Sequence, residues 1–140
     1  MYQIVIETPK GSFVKRNEEG NIDLISPFSC PFNYGRVVGY HGRDGDPLDA
    51  ILLGEAVSYN STHEAPLIGV VRFVDGGEED HKLIFSTIPP TRRDEEALKR
   101  FFHRYAQIKN LTRLLQFRRC PSQFLGLEWG ITDITYFSRR

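Results

Sequence analysis

The residues with the plainest chemical capacity are Asp44-Gly45-Asp46-Pro47-Leu48-Asp49, three carboxylates at i, i+2 and i+5. A glycine that permits an unusual backbone and a proline that stiffens it sit between them. Hard divalent cations take oxygen ligands of this kind. A second acidic turn, Asp75-Gly76-Gly77-Glu78-Glu79-Asp80, again spaces two aspartates by five through glycines. Either turn alone reads as a solvated loop, but both lie between β-prone runs that would carry them to one barrel. Carboxylates gathered within a few ångströms repel one another, so a fold that collects them needs cations to offset the cost. Bound divalent ions lower the pKa of water toward neutrality and neutralise phosphoryl oxygens. Asp46, between Asp44 and Asp49, is placed to orient or deprotonate such a water. A helix-flanked calcium loop does not fit, because its sixth-position glycine, final acidic ligand and flanking helices are not found.

The elements that must position these groups are short. Tyr2 to Glu7 is β-rich and is closed by Thr8-Pro9-Lys10-Gly11. Ser12 to Arg16 makes a return strand, Asn17 to Asn21 a polar turn, and Ile22 to Ile25 resumes with apolar residues. Arg36 to Tyr40, Ala50 to Leu53, Pro66 to Asp75 and His81 to Thr87 continue as short aliphatic or β-branched runs bounded by Gly, Pro or Asp. Helical character begins after Pro89-Pro90, where Thr91 and Asp94 stand in capping-box spacing and Asp94, Glu95 and Glu96 favour the positive end of a helix dipole. Ala97, Leu98, Phe101, Phe102, Tyr105 and Ile108 then form one apolar stripe. Leu111 to Phe117 reads as a second short helical piece, and Trp129 to Phe137 as a terminal strand. Short strands followed by a helix predict a mainly β, α+β fold built as a small barrel with a helix at its side.

The 140 residues suffice for one sizeable core, and no repeat, low-complexity tract or linker divides them, so residues 1–140 are expected to form a single domain. Eighteen Lys and Arg balance eighteen Asp and Glu. The balance hides an asymmetry: residues 1–90 hold 13 acids and 7 bases, residues 91–140 hold 5 acids and 11 bases. Neither the overall charge nor the sparse Arg118-Arg119 and Arg139-Arg140 pairs make a nucleic-acid footprint. Cys30 and Cys120 are too few for a disulfide framework, and His41, His63, His81 and His103 match no metal spacing with them. No run approaches the roughly 18 apolar residues of a membrane span, and the first residues lack a basic segment before an apolar one. The expectation is a cytoplasmic protein without membrane or nucleic-acid partners.

Asp44-Gly45-Asp46-Pro47-Leu48-Asp49-Ala50 resembles the signature of the soluble family I inorganic pyrophosphatases, and the likeness extends beyond it. Ile4-Val5-Ile6-Glu7, Pro9 and Lys15 resemble the family's opening hairpin; Pro31-Phe32-Asn33-Tyr34-Gly35 resembles its Pro-x-x-Tyr-Gly segment. Gly69 to Lys82 resembles its second metal loop, and Phe101-Phe102-His103-Arg104-Tyr105 the helix presenting a phosphate-binding tyrosine. The resemblance covers residues 2 to 108. It implies an OB-like five-stranded barrel with one or two flanking helices, several Mg²⁺ ions, a homo-oligomer, and hydrolysis of pyrophosphate or a related phosphoanhydride. By position it implies that Asp44, Asp49, Asp75 and Asp80 ligate metal, that Glu7 supports the site through water, and that Asp46 acts on the nucleophilic water. Lys15 and Tyr34 would hold the attacked phosphate, Lys82 would act near the nucleophile, and Tyr105 would contact the leaving phosphate.

Five positions depart from the family pattern. Asn17 stands for an acid, Ile22 for an arginine, Cys30 for a tyrosine, Gly76 for an acid and Ala106 for a lysine. The arginine and lysine both hold the leaving phosphate, and a charge-assisted hydrogen bond contributes roughly 1.5 to 3 kcal/mol. Arg16, Arg36 and Arg43 are candidates to replace them. The stripped side leaves two other readings open: a hydrolase of another phosphoanhydride with a larger or less charged leaving group, and a non-catalytic binding protein that kept the metal loops.

Overall fold

The computed structural model of the chain describes residues 1–12, 14–16, 22–25, 29–115 and 121–138. Asn17, the rest of the expected turn at 17–21, Phe117 and Cys120 lie outside the described residues. Ten strands, one α-helix and a short 3₁₀ turn are described, which bears out the mainly β, α+β expectation.

The strands are β1 (Tyr2–Thr8), β2 (Val14–Arg16), β3 (Ile22–Ile25), β4 (Asn33–His41), β5 (Pro47–Leu52), β6 (Thr62–Ala65), β7 (Leu67–Asp75), β8 (Glu78–Glu79), β9 (Lys82–Phe85) and β10 (Gln123–Trp129). The main sheet has eight strands in the order β10-β7-β9-β5-β4-β1-β6, with β8 beside β7; β2 and β3 form a separate two-stranded ribbon. The expected barrel takes the form of a larger, eight-stranded sheet whose ladder, among the described residues, runs between two edges at β10 and β6. Every pairing is antiparallel except β5 with β9.

Alternation along the central strands divides the core between two faces of this sheet. Ala50 and Leu52 of β5 and Leu83 and Phe85 of β9 pack with Ile4, Ile6, Val37 and Val70 on one face. Ile51, Ile84, Val71 and Phe73 pack on the other, where α1 (Arg92–Leu115) covers them with Leu98, Phe102 and Ala106. Stacked and edge-on rings of Phe32, Phe101, Phe102, Phe73 and Tyr105 fill that helix–sheet seam. The α1 stripe expected from sequence is this buried face.

The N-terminus of α1 is closed reciprocally: Asp94 N–H donates to Thr91 Oγ1 at 3.1 Å, and Thr91 N–H donates to Asp94 Oδ2 at 2.8 Å. The predicted second helical piece is the C-terminal part of α1, which runs without a break through Leu115. The terminal strand lies earlier than expected: β10 ends at Trp129, and Ile134–Tyr136 is a 3₁₀ turn started by Asp133, whose carboxylate accepts from Thr135 N–H. Strand β6 was not anticipated. Among the described residues no helix is long and apolar enough to cross a membrane.

Candidate functional site

Sheet topology brings the two acidic turns together. The first turn joins β4 to β5, and Asp49 lies on β5. β9 runs parallel to β5 with Ala50 opposite Leu83, so Asp49 and Lys82 stand beside each other at the same end of neighbouring strands. The second turn joins β7 to β8 through Gly76 and Gly77, both at positive φ, and delivers Asp80 immediately before β9. Asp80 N–H is fixed to the Phe73 carbonyl at 2.9 Å. The result is an open depression of about 620 Å³ whose lining includes Asp44, Asp46, Asp49 and Asp80 together with Glu78 and Glu79. Tyr136 and Phe137 of the C-terminal turn close one side of it. Asp44 also shapes its own loop by accepting the Asp46 N–H at 3.0 Å.

Beneath the depression lies Lys82, only 2% exposed, with its ammonium 2.7 Å from Asp49 Oδ2 and 2.9 Å from Asp80 Oδ2. Burial opposes its charge, but the carboxylates of Asp49 and Asp80 and the nearby Tyr105 outweigh that, and its pKa lies above the usual lysine value. Tyr34, on β4 opposite Ile51, is buried and donates its hydroxyl to Asp49. Burial, with Asp49, Tyr105 and Asp80 adding to it, pushes that phenol well above its ordinary range, so it is a neutral donor. Lys82 Nζ lies 6.0 Å from the Tyr34 ring centre. Four groups expected from sequence therefore meet at one point: Tyr34, Asp49, Asp80 and Lys82.

The remaining expected residues stand around this centre in different ways. Glu7 pairs with Arg36 at 3.1 Å, which ties the candidate replacement arginine to β1. Arg43 lines the depression. Lys15 stands on β2 opposite Leu24, and its side chain is outside the described part of the structure, as are those of Arg16 and Ile22. Tyr105 packs its ring 5.5 Å from that of Phe73. Asp75, at the end of β7, does not line the depression: its Oδ2 is 2.7 Å from Lys109 Nζ and its Oδ1 accepts from Ser122 Oγ at 2.8 Å. Sequence reasoning missed Lys109. The signal was its position four residues after Tyr105, on the same helix face. Its ammonium lies 5.1 Å from the Tyr105 ring centre.

The donor chemistry fits hard cations, since the depression gathers carboxylates and offers one imidazole, His81, and one guanidinium beside them. Burial lowers the His81 pKa, and its Nδ1 accepts the Phe73 N–H at 3.0 Å, so that ring is occupied in holding β9 to β7. Among the described residues no three carboxylate, histidine or cysteine side chains are already gathered about one metal-sized point. Asp49 and Asp80 are instead turned onto the Lys82 ammonium.

Fold and site define a mainly β protein with an acidic depression at the ends of neighbouring strands, suited to holding cations against an anion. Known proteins agree. The profile of the family described as inorganic pyrophosphatase matches residues 4–120. A soluble inorganic pyrophosphatase of Oryza sativa is 31% identical over 97% of this chain and 70% of its own length. Soluble inorganic pyrophosphatase 2 of Chlamydomonas reinhardtii is 37% identical over 72% of this chain, which spans 63% of that relative. Among solved structures, the inorganic pyrophosphatase of Helicobacter pylori superposes with a TM-score of 0.72 at 26% identity, covering 91% of this chain and 84% of that one. The chain belongs to the inorganic pyrophosphatase family, a family of phosphoanhydride hydrolases.

Proposed function

We propose that this protein is an inorganic diphosphatase that hydrolyses pyrophosphate to two phosphates with the help of Mg²⁺. The observation that carries the reading is the convergence of Asp44, Asp46, Asp49 and Asp80 on one depression, from two turns about thirty residues apart in sequence. Asp44, Asp49 and Asp80 would hold the ions. Divalent ions bound there would supply charge neutralisation for the phosphoryl oxygens and a more acidic water. Asp75 is left out of that set because it does not line the depression.

The chain's own groups supply the rest of the chemistry. Phosphoryl transfer is mostly positioning and charge stabilisation. Asp46 lines the depression on a loop fixed by Asp44, and we assign it the proton of the attacking water. Lys82 is charged and buried between two carboxylates, so it sets their orientation and keeps positive potential beneath the attacked phosphate. Tyr34, a neutral phenol whose one O–H is donated to Asp49, would hold the attacked phosphate by turning that hydroxyl to it, and Lys15 and Tyr105 complete the phosphate contacts. Glu7 acts at second hand, through Arg36 and water. A single domain over residues 1–140, a cytoplasmic location and assembly with further copies belong to the same proposal, and their support is the family resemblance.

The test is phosphate release from pyrophosphate with Mg²⁺, beside an Asp46→Asn control. General-base removal lowers turnover by about 10²–10⁴-fold. Turnover equal to that of the control, or faster release from nucleoside diphosphates than from pyrophosphate, would refute the assignment.

A further inference from the structure

Two ammonium groups bracket one aromatic pair in the seam between α1 and the sheet. The Phe73 ring centre lies 5.9 Å from Lys82 Nζ and 5.5 Å from the Tyr105 ring, whose own centre lies 5.1 Å from Lys109 Nζ. Tyr105 is also within electrostatic reach of Tyr34 and Lys82, so Lys109 stands at the helix side of the same cluster. The two lysines are equipped differently. Lys82 is buried between the carboxylates of Asp49 and Asp80 and has almost no surface to offer a ligand. The Lys109 side chain is 31% exposed, and the Asp75 carboxylate at 2.7 Å occupies one of its three donors. Burial opposes its charge, but Tyr105 and Asp75 outweigh that, and its pKa lies above the usual lysine value. Its place is fixed locally: Ser122 Oγ donates to the second Asp75 oxygen at 2.8 Å, and Asn110, next to Lys109 on α1, clamps Ser122 at its N–H and its carbonyl.

A charged, oriented and partly exposed ammonium beside a phenol suits a phosphate oxygen, which takes short charge-assisted hydrogen bonds from such donors. Other positions do not supply that cation on the helix side. Ala106 is uncharged, 7% exposed and packed into the helix–sheet core, Ile22 is uncharged, and the Arg36 guanidinium is paired with Glu7 at 3.1 Å. We infer that Lys109 is a substrate-binding residue whose ammonium, with the Tyr105 hydroxyl, holds the leaving phosphate of pyrophosphate from the α1 side. The inference rests on the proposed function for the substrate and goes beyond it in naming the cation that replaces those lost at positions 22 and 106. Asp75 neutralises this ammonium when no phosphate is bound and shares it when one is.

Calorimetric titration with imidodiphosphate in the presence of Mg²⁺ tests this without reference to turnover. Lys109→Met is expected to weaken binding by about 10- to 100-fold, the loss of one charge-assisted hydrogen bond. Asp75→Asn removes the carboxylate that competes for the ammonium and leaves Lys109 beside Tyr105, so it is expected to bind at least as tightly as the wild type. A lysine that only pinned α1 to β7 would give similar weakening in both variants. Weaker binding in Asp75→Asn therefore overturns the inference, and that variant decides alone if Lys109→Met fails to fold. Unchanged affinity in Lys109→Met, beside a wild type that binds, overturns the inference and leaves the proposed function standing. A wild type that binds no imidodiphosphate overturns both.

Discussion

Replacing Lys82 by methionine removes the charge that holds Asp49 and Asp80 together while nearly keeping the side-chain volume. Breaking a buried ion pair by deleting one partner costs about 3–5 kcal/mol, since the other charge is left uncompensated. Here the ammonium is buried, but the Asp49 and Asp80 side chains are 29% and 31% exposed, so hydration recovers part of that cost. The expected loss in chelator is about 2–4 kcal/mol. For 140 residues each kcal/mol moves the melting midpoint by about 3 °C, so Lys82→Met should melt roughly 6–12 °C below the wild type. Adding Mg²⁺ should then raise the variant more than the wild type, because an ion bound by the orphaned carboxylates stabilises the folded state by linkage. Calorimetric scans of both proteins, with chelator and with Mg²⁺, give the four midpoints. Equal midpoints in chelator would refute the reasoning, as would a variant that gains no more from Mg²⁺ than the wild type.

Three further outcomes are expected elsewhere in the fold. At Gly35 an added Cβ would sit 1.8 Å from the Val5 carbonyl oxygen, so Gly35→Ala must force β1 from β4 and should cost at least about 3 kcal/mol in urea titrations; a milder loss would contradict the close approach. Thr8 Oγ1 is buried with no hydrogen-bond partner among the described residues, so Thr8→Val should be neutral or stabilising by up to about 1 kcal/mol, whereas marked destabilisation would reveal a missing partner. Burial raises the Cys30 thiol from its ordinary 9.0 to about 11, with its contact to the Phe32 carbonyl acting the other way. The folded thiol holds its proton after the unfolded one has lost it, so its contribution is full below pH 9.0 and is lost as pH rises through about 11. Stability should accordingly fall more steeply across that window in the wild type than in Cys30→Ala, and parallel profiles would count against it.

What the sequence disclosed and what it hid divide along physical lines. Local chemistry was legible: the Thr91–Asp94 capping box forms both reciprocal bonds, and the apolar stripe of α1 is its buried face. The glycine of the Tyr34-Gly35 segment has its reason in the Val5 carbonyl that occupies the space of a side chain. Strand β6 escaped because Thr62, His63 and Glu64 carry no apolar alternation; among the described residues it pairs with β1 alone, at an edge. Strand β10 was displaced because Gly126, at a φ of 130°, marks a bulge that interrupts its alternation near the start. The parallel neighbourhood of β5 and β9, which sets Lys82 between Asp49 and Asp80, is a long-range pairing that no local pattern encodes. The same holds for Asp75: its place in the acidic turn marked it as a ligand, while its partner sits 34 residues away on the helix.

The most direct trial of the central claim is a crystal structure grown with Mn²⁺ and a non-hydrolysable pyrophosphate analogue, with the metal located by anomalous scattering. The account predicts manganese peaks within coordination distance of Asp44, Asp49 and Asp80, with the analogue beside Asp46 and Tyr34. Metal and analogue bound elsewhere, with that depression holding neither, would contradict it.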